Sequence, residues 1–255
     1  MQLFDTHTHL YLSQFNEDRD EVINSAVNLG IEKLLLPNID SKSINPLLEL
    51  CNIFPDNCFP ALGLHPTSVK NNYKEELDII EDWINKTKVY AIGETGIDLY
   101  WDKTFIKEQI KAFSYQIELA IKYNLPVIIH MRESFDQVIE VLDNFKGENL
   151  TGVFHCFTGT IQQAEMIVKK GFKLGIGGVV TFKNSGLDVT LKKFDMSHII
   201  LETDSPYLAP VPKRGKRNES SYLIHIAKKV ADIKELTITK LAEITTNNAK
   251  QLFNI

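Results

Sequence analysis

The chain is poor in cysteine: three in 255 residues, Cys51, Cys58 and Cys156, an odd number with no pair at CxxC spacing. A disulfide scaffold is not expected, and a reducing cytoplasm is the natural compartment. No apolar run approaches the ~18 residues needed to span a bilayer. The first residues, MQLFDTHTHLYL, have neither the basic start nor the apolar stretch of a signal peptide, so no membrane partner is expected. Positive charge is not in excess either, since 28 Lys and Arg against 33 Asp and Glu leave −5. Any attraction for nucleic acid must then come from a local patch or from bound metal. Linkers rich in Pro or Ser, low-complexity tracts and internal repeats are all missing, which points to one domain over residues 1–255. What remains is an ordinary globular composition, 44% hydrophobic and 24% charged. At this length roughly 70–75% of the unfolded surface is buried without staples.

Short apolar runs rich in β-branched residues alternate with longer amphipathic segments. Eight runs read as strands: Leu3–Thr6, Lys33–Leu36, Cys58–Leu64, Lys88–Gly93, Pro126–Ile129, Thr151–Phe154, Phe172–Ile176 and His198–Leu201. Between and after them, helices are expected over Glu17–Leu29, from Ser41 or Ser43 to Ile53, and over Lys103–Tyr123, Ser221–Val230 and Glu235–Leu252. Eight strands alternating with helices in a chain of this length is the pattern of a (β/α)8 barrel, an α/β fold of the TIM type. A doubly wound open sheet competes, but it usually has fewer strands and a Gly-rich first turn, where this chain is His-rich.

Polar residues concentrate where these strands end: His7 and His9 after the first, His65 after the third, Glu94 after the fourth, His130 after the fifth, His155 after the sixth and Asp204 after the eighth. Five of the seven histidines fall at such positions. In a barrel those ends surround one mouth. In an extended chain His7 and His9, two apart, face the same way and can reach one ion. An HxH alone reads more readily as two solvated histidines, but Asp5 and Thr6 precede this pair at the end of an apolar strand. Glu94 stands between two glycines in AIGETGIDLY, where its carboxylate can bridge two cations or, more plainly, cap a turn. Asp204, in IILETDSPYLAP, would be a costly buried acid unless paired or metal-bound. Glu202 reads as an inward-facing structural acid. His130 and His155 close almost wholly apolar strands; a lone histidine there is usually a satisfied core residue, but two at equivalent places on adjacent strands are better explained as ligands of one ion. Imidazole with carboxylate suits Zn²⁺ or Mn²⁺ and can admit Mg²⁺. Four histidines and two carboxylates can hold two divalent ions, which ~3.5–4 Å apart activate water and polarise a phosphoryl or carbonyl oxygen. Asp204 is placed to accept the proton of that water. The chemistry expected is hydrolysis.

In order along the chain, FDTHTHL, LGLHP, AIGETGIDLY, VIIHMRES, FHCFTGT and ETDSPYLAPVPKRGKRNES resemble the motifs of the TatD family of metal-dependent hydrolases, from Leu3 to the C-terminal helix. The resemblance implies a (β/α)8 fold of the amidohydrolase type and divalent-metal deoxyribonuclease activity, usually 3′→5′ on single-stranded DNA. Carried over by motif, His7, His9, Glu94, His130, His155 and Asp204 would hold the metals, with Glu94 as bridge. His65 would contact the phosphate or orient a ligand. Ser220 departs from the proline many members have after RNE. The carbamylated-lysine pattern of other amidohydrolase branches is absent.

For substrate contacts, Lys213-Arg214-Gly215-Lys216-Arg217 places four cations in five residues beyond the last strand. Arg214, Lys216 and Arg217 are candidate phosphate grips, although such runs are usually solvated loops. Arg132 is a further candidate. Tyr100 and Trp101 read equally as a base-stacking pair or a buried aromatic pair. Gly175, Gly177 and Gly178 suggest a phosphate loop only weakly. A nucleic acid substrate, single-stranded DNA or RNA, handled by a monomer, is the leading expectation. The alternative is an amide or ester hydrolase, such as one removing D-amino acids from tRNA, because metal-activated water attacks a carbonyl as readily. A non-catalytic barrel is disfavoured, since every ligand position is filled by a residue able to bind metal.

Overall fold

A computed structural model describes all residues, 1–255. Eight parallel strands follow one another: β1 (Leu3–Asp5), β2 (Ile31–Pro37), β3 (Cys58–Ala61), β4 (Ile92–Asp98), β5 (Val127–Arg132), β6 (Gly152–Phe154), β7 (Lys173–Ile176) and β8 (Ile199–Leu201). The helices are α1 (Arg19–Asn28), α2 (Ser41–Ile53), α3 (Tyr73–Ile84), α4 (Ile106–Tyr123), α5 (Phe135–Asp143), α6 (Ile161–Lys169), α7 (Leu187–Lys193), α8 (Leu223–Lys234) and α9 (Ile238–Phe253). Local chemistry starts several of them. Asp40 and Ser43 form a reciprocal capping box at α2, and Thr160 and Gln163 form another at α6. The stripe Phe113, Ile117 and Ala120 turns α4 onto the barrel.

The strands pair in the orders β1-β2-β3 and β4-β5-β6-β7-β8, and two seams join these arcs into a closed barrel. At one, Leu62 N–H donates to the Ala91 carbonyl and Gly93 N–H to the Leu62 carbonyl. At the other, Thr6 N–H donates to Leu201, Asp204 N–H to His7 and His9 N–H to Ser205. Closure leaves no unpaired sheet edge. The architecture is the (β/α)8 barrel the alternation implies.

Strand periodicity divides the barrel interior into two layers. Phe4, Leu35, Ile128, Val153 and Ile200 form an apolar lower layer together with Phe253 and Ala249 of α9, which cover that end. Two residues further along β5, β6 and the β8 chain come His130, His155 and Glu202, on the same inward face. The larger apolar cluster lies outside the strands, between them and the helices.

Some boundaries differ from the sequence expectation. The fourth strand runs over Ile92–Asp98 rather than Lys88–Gly93, so Glu94 lies within it rather than after it. Gly93 and Gly96, at φ +147 and +139, distort this strand so that it reads locally as a turn. A side chain at Gly96 would meet the His130 carbonyl at 2.0 Å, so the close approach of β4 and β5 requires glycine there. The third strand ends at Ala61, and His65 begins a short 3-10 turn over Pro66–Ser68. The fifth continues through His130 to Arg132.

Candidate metal centre

Glu94 stands at the centre of the mouth, 2% exposed, and its two carboxylate oxygens face different groups. Oε2 lies 3.1 Å from His7 Nε2 and 3.8 Å from His9 Nε2. Asp204 Oδ1 completes that side, 3.8 and 3.6 Å from the same two nitrogens. Oε1 lies 2.7 Å from His130 Nδ1, 2.8 Å from His155 Nε2 and 3.3 Å from His65 Nε2. The structure therefore brings together all seven residues, contributed by six strands or the segments that directly follow them.

This donor set fits divalent cations. His7 Nε2 is 3.1 Å from His9 Nε2, and His155 Nε2 is 3.4 Å from His130 Nδ1. Nitrogens of two rings aimed at each other need a proton or a cation between them. Ligands about 2.0–2.2 Å from a shared ion stand roughly 3 Å apart, which these separations match.

The far nitrogen of each ring decides what the near one can do. His9 Nδ1 lies 3.1 Å from the Pro37 carbonyl, which can only accept, so His9 Nε2 offers a lone pair inward. His130 Nε2 donates to Asp98 Oδ2 at 2.9 Å, freeing Nδ1. His155 Nδ1 faces Glu202 Oε1 at 3.4 Å, while Cys156 N–H donates to the same oxygen at 2.5 Å. His65 is the exception. Its Nδ1 accepts from Thr67 N–H, which places the proton on Nε2 and makes the ring a hydrogen-bond donor toward the site in this arrangement, with Nε2 within ligand reach of Glu94 and His130. His7 stacks on His155 with ring centroids 4.0 Å apart, and its Nδ1 is buried without a partner.

Electrostatics follow from this crowding. Burial would raise Glu94, but His155, His65 and His7 hold its carboxyl well below the usual range. Asp204 is likewise lowered against burial by His9, His155 and His7. Burial disfavours the charged rings of His130 and His155, yet Asp98 with Glu94 raises the first, and Glu94 with Glu202 raises the second well above a free imidazole. His7 and His65 fall, burial being the main cause. The same carboxylates that favour protons on His130 and His155 would favour a cation, and the two compete for the ring nitrogens.

Asp98 is the functional residue that sequence reading missed. Its signal was period-two spacing: Glu94, Gly96 and Asp98 share one face of β4 once that strand is extended. Glu202 is fully buried, and a side chain at Gly175 would lie 2.3 Å from its Oε2. Gly178 approaches the Leu208 carbonyl in the same way. Those glycines make room for neighbours rather than cradling an anion. Ser220 donates to Thr8 Oγ1 at 3.2 Å, between the two histidines of the HxH.

Around the centre opens a cavity of about 540 Å³ reached by His65, Trp101, Arg132, Tyr207 and Leu208. Tyr100 and Trp101 are 50% and 67% exposed, which removes the buried-pair reading. Arg214 and Lys216 are exposed, with the Arg214 guanidinium 3.9 Å over Phe182. Arg217 is committed elsewhere, contrary to the expectation of a free phosphate grip. It forms a bidentate pair with Asp18 at 2.9 and 2.6 Å, donates to the Gln14 carbonyl at 2.7 Å, and lies 4.4 Å over Phe15.

Comparison with known proteins agrees in architecture and chemistry. The family model described as TatD related DNase matches residues 4–254. An uncharacterized metal-dependent hydrolase, YabD of Bacillus subtilis, is 39% identical over 99% of both chains. The 3′-5′ ssDNA/RNA exonuclease TatD of Salmonella typhimurium is 32% identical, again over 99% of both. Among solved structures, the TatD homologue YJJV of Escherichia coli superposes with a TM-score of 0.93 at 28% identity, over 99% of this chain and 98% of that one.

Proposed function

Because this chain belongs to the TatD-related DNase family, we propose that it is a metal-dependent phosphodiesterase that removes nucleotides from the 3′ end of single-stranded DNA or RNA. The observation that carries the reading is the divided carboxylate of Glu94, with one donor group on each oxygen. Such a division suits two divalent cations, Mg²⁺, Mn²⁺ or Zn²⁺. His7, His9 and Asp204 would hold one, His130 and His155 the other, and Glu94 both. When bound, such cations supply Lewis acidity toward a phosphoryl oxygen and lower the pKa of nearby water.

The chain's own groups divide the remaining work. Asp204, its carboxyl kept ionised by three histidines, accepts the proton of the attacking water at Oδ. His65 presents Nε2–H to an oxygen of the phosphodiester. Arg132 at the rim, and the exposed Arg214 and Lys216 of the loop after β8, supply positive charge for phosphates on an otherwise acidic protein. The 3′→5′ polarity rests on relatives named for it, at 31% and 32% identity.

The test is digestion of 3′- and 5′-labelled single-stranded DNA by metal-stripped protein, with each cation returned and Asp204→Ala as control. Metal-dependent shortening from the 3′ end, lost in the variant, is expected. Metal-loaded protein that leaves every oligonucleotide intact would refute the nuclease reading and turn attention to carbonyl esters such as aminoacyl-tRNA.

A further inference from the structure

The geometry points to a nucleobase-binding slot beside the metal centre, with Tyr100 and Trp101 as its stacking wall and Arg132 as the phosphate contact next to it. The inference rests on the nuclease reading and adds that the occupant is an unstacked base of a single strand. Both rings are largely exposed, and Trp101 borders the catalytic cavity. They are also held in place. Asp98 Oδ1 accepts from Tyr100 N–H at 2.9 Å and from Trp101 N–H at 3.0 Å, and the two rings meet edge to face at 4.9 Å. An exposed tryptophan on a tethered loop loses little freedom when a flat ring settles on it.

Arg132 gives the slot its charge. Its guanidinium lies 3.8 Å from the Tyr100 ring centre and 5.3 Å from that of Trp101, stacking on aromatic faces rather than pairing with a carboxylate. A planar cation beside exposed aromatic faces matches a nucleotide, with base on ring and phosphate on guanidinium. On the opposite rim Tyr207 and Leu208, 47% and 41% exposed, form a second apolar wall. A paired base is already stacked within its duplex, so only a splayed one can use such walls. Through Asp98, whose other oxygen receives His130 Nε2–H, the stacking loop and a metal-facing imidazole share one anchor.

The experiment is equilibrium binding of a fluorescently labelled, phosphorothioate-linked oligothymidylate to the metal-loaded protein, alongside cleavage of ordinary oligonucleotides. Trp101→Ala, Tyr100→Ala and the conservative Trp101→Phe are compared with wild type, and Trp83→Phe controls for loss of the other tryptophan. Loss of a base–aromatic stack is expected to weaken binding roughly 5- to 150-fold in Trp101→Ala, with Trp101→Phe restoring most of it. An oligonucleotide with abasic residues at its 3′ end should bind wild type and Trp101→Ala alike. Equal binding of the intact oligonucleotide by wild type and Trp101→Ala would overturn the slot, and so would failure of wild type to bind it. Cleavage that persists in such a case leaves the nuclease reading standing. Trp101-dependent binding without cleavage would support the slot and sink the nuclease reading.

Discussion

Arg217→Ala separates an architectural cation from a substrate-gripping one. Truncation removes a bidentate pair with Asp18, a hydrogen bond to the Gln14 carbonyl and a stack on Phe15. Both charged groups are about a third exposed, 31% and 37%, so solvent screening holds the ion pair to about 1 kcal/mol or less. The stack and the hydrogen bond are each of similar size, and water replaces part of them. A net loss of about 1–2 kcal/mol corresponds to a melting temperature lower by roughly 2–8 °C for a domain of this size. The contacts join the segment before α1 to the loop after β8, and no part of Arg217 enters the cavity. Oligonucleotide affinity and its dependence on salt are therefore expected to stay at wild-type values. Arg214→Ala and Lys216→Ala should do the reverse, each keeping the melting temperature and lowering the slope of log K against log salt by about 0.7 per lost phosphate contact. The assay pairs thermal unfolding with binding measured across a salt series. An Arg217→Ala protein that melts like wild type yet shows the shallower slope would refute the reasoning.

Other consequences are as direct. Phe253→Ala removes a ring 1% exposed in the lower barrel layer, 6.1 Å from the Phe4 ring; it should cost about 3–5 kcal/mol of stability by denaturant unfolding, with turnover per folded molecule preserved. Asp98→Asn turns an acceptor facing His130 Nε2 into a group that can present N–H there, and should weaken metal binding about 10- to 100-fold by calorimetry; unchanged affinity would show that His130 needs no orienting partner. For pH, Asp98 with Glu94 raises His130, and Glu94 with Glu202 raises His155, above a free imidazole when no metal is bound. The stability they contribute is present at low pH and lost as pH rises through their folded values. Metal loading runs oppositely, since a cation competes with protons for these nitrogens: affinity should rise with pH, and the binding enthalpy should depend on the buffer's ionisation enthalpy. A buffer-independent enthalpy would count against proton displacement.

The alternation of apolar runs and amphipathic segments carried the barrel because each strand must bury one face inside it and the other under helices, which leaves a local pattern. The candidate ligands stood out for the same reason: His130 and His155 follow Ile128 and Val153 by two residues, so a barrel interior that begins apolar ends polar at one level. Asp98 stayed hidden because β4 is bent by two glycines at positive φ, and its second half looks like a loop. Arg217 was misread for a different reason. Its partner Asp18 is 199 residues away, and no local pattern announces a contact of that range. His65 shows what side-chain environment adds to residue identity, since the bond from Thr67 N–H, invisible in the sequence, is what turns its Nε2–H toward the site.

The seam between β1 and β8 has a consequence for how the protein is made. The candidate ligands His7 and His9 leave the ribosome before Asp204, which lies nearly two hundred residues later and is fixed by its backbone bond to the His7 carbonyl. At typical synthesis rates of about 5–20 residues per second, some tens of seconds separate the two. Throughout that interval the growing chain carries histidines without the acid that completes their side of the centre, and its barrel is still open. A centre whose candidate ligands flank the seam between β1 and β8 is completed only when the chain between them has been made and the barrel has closed.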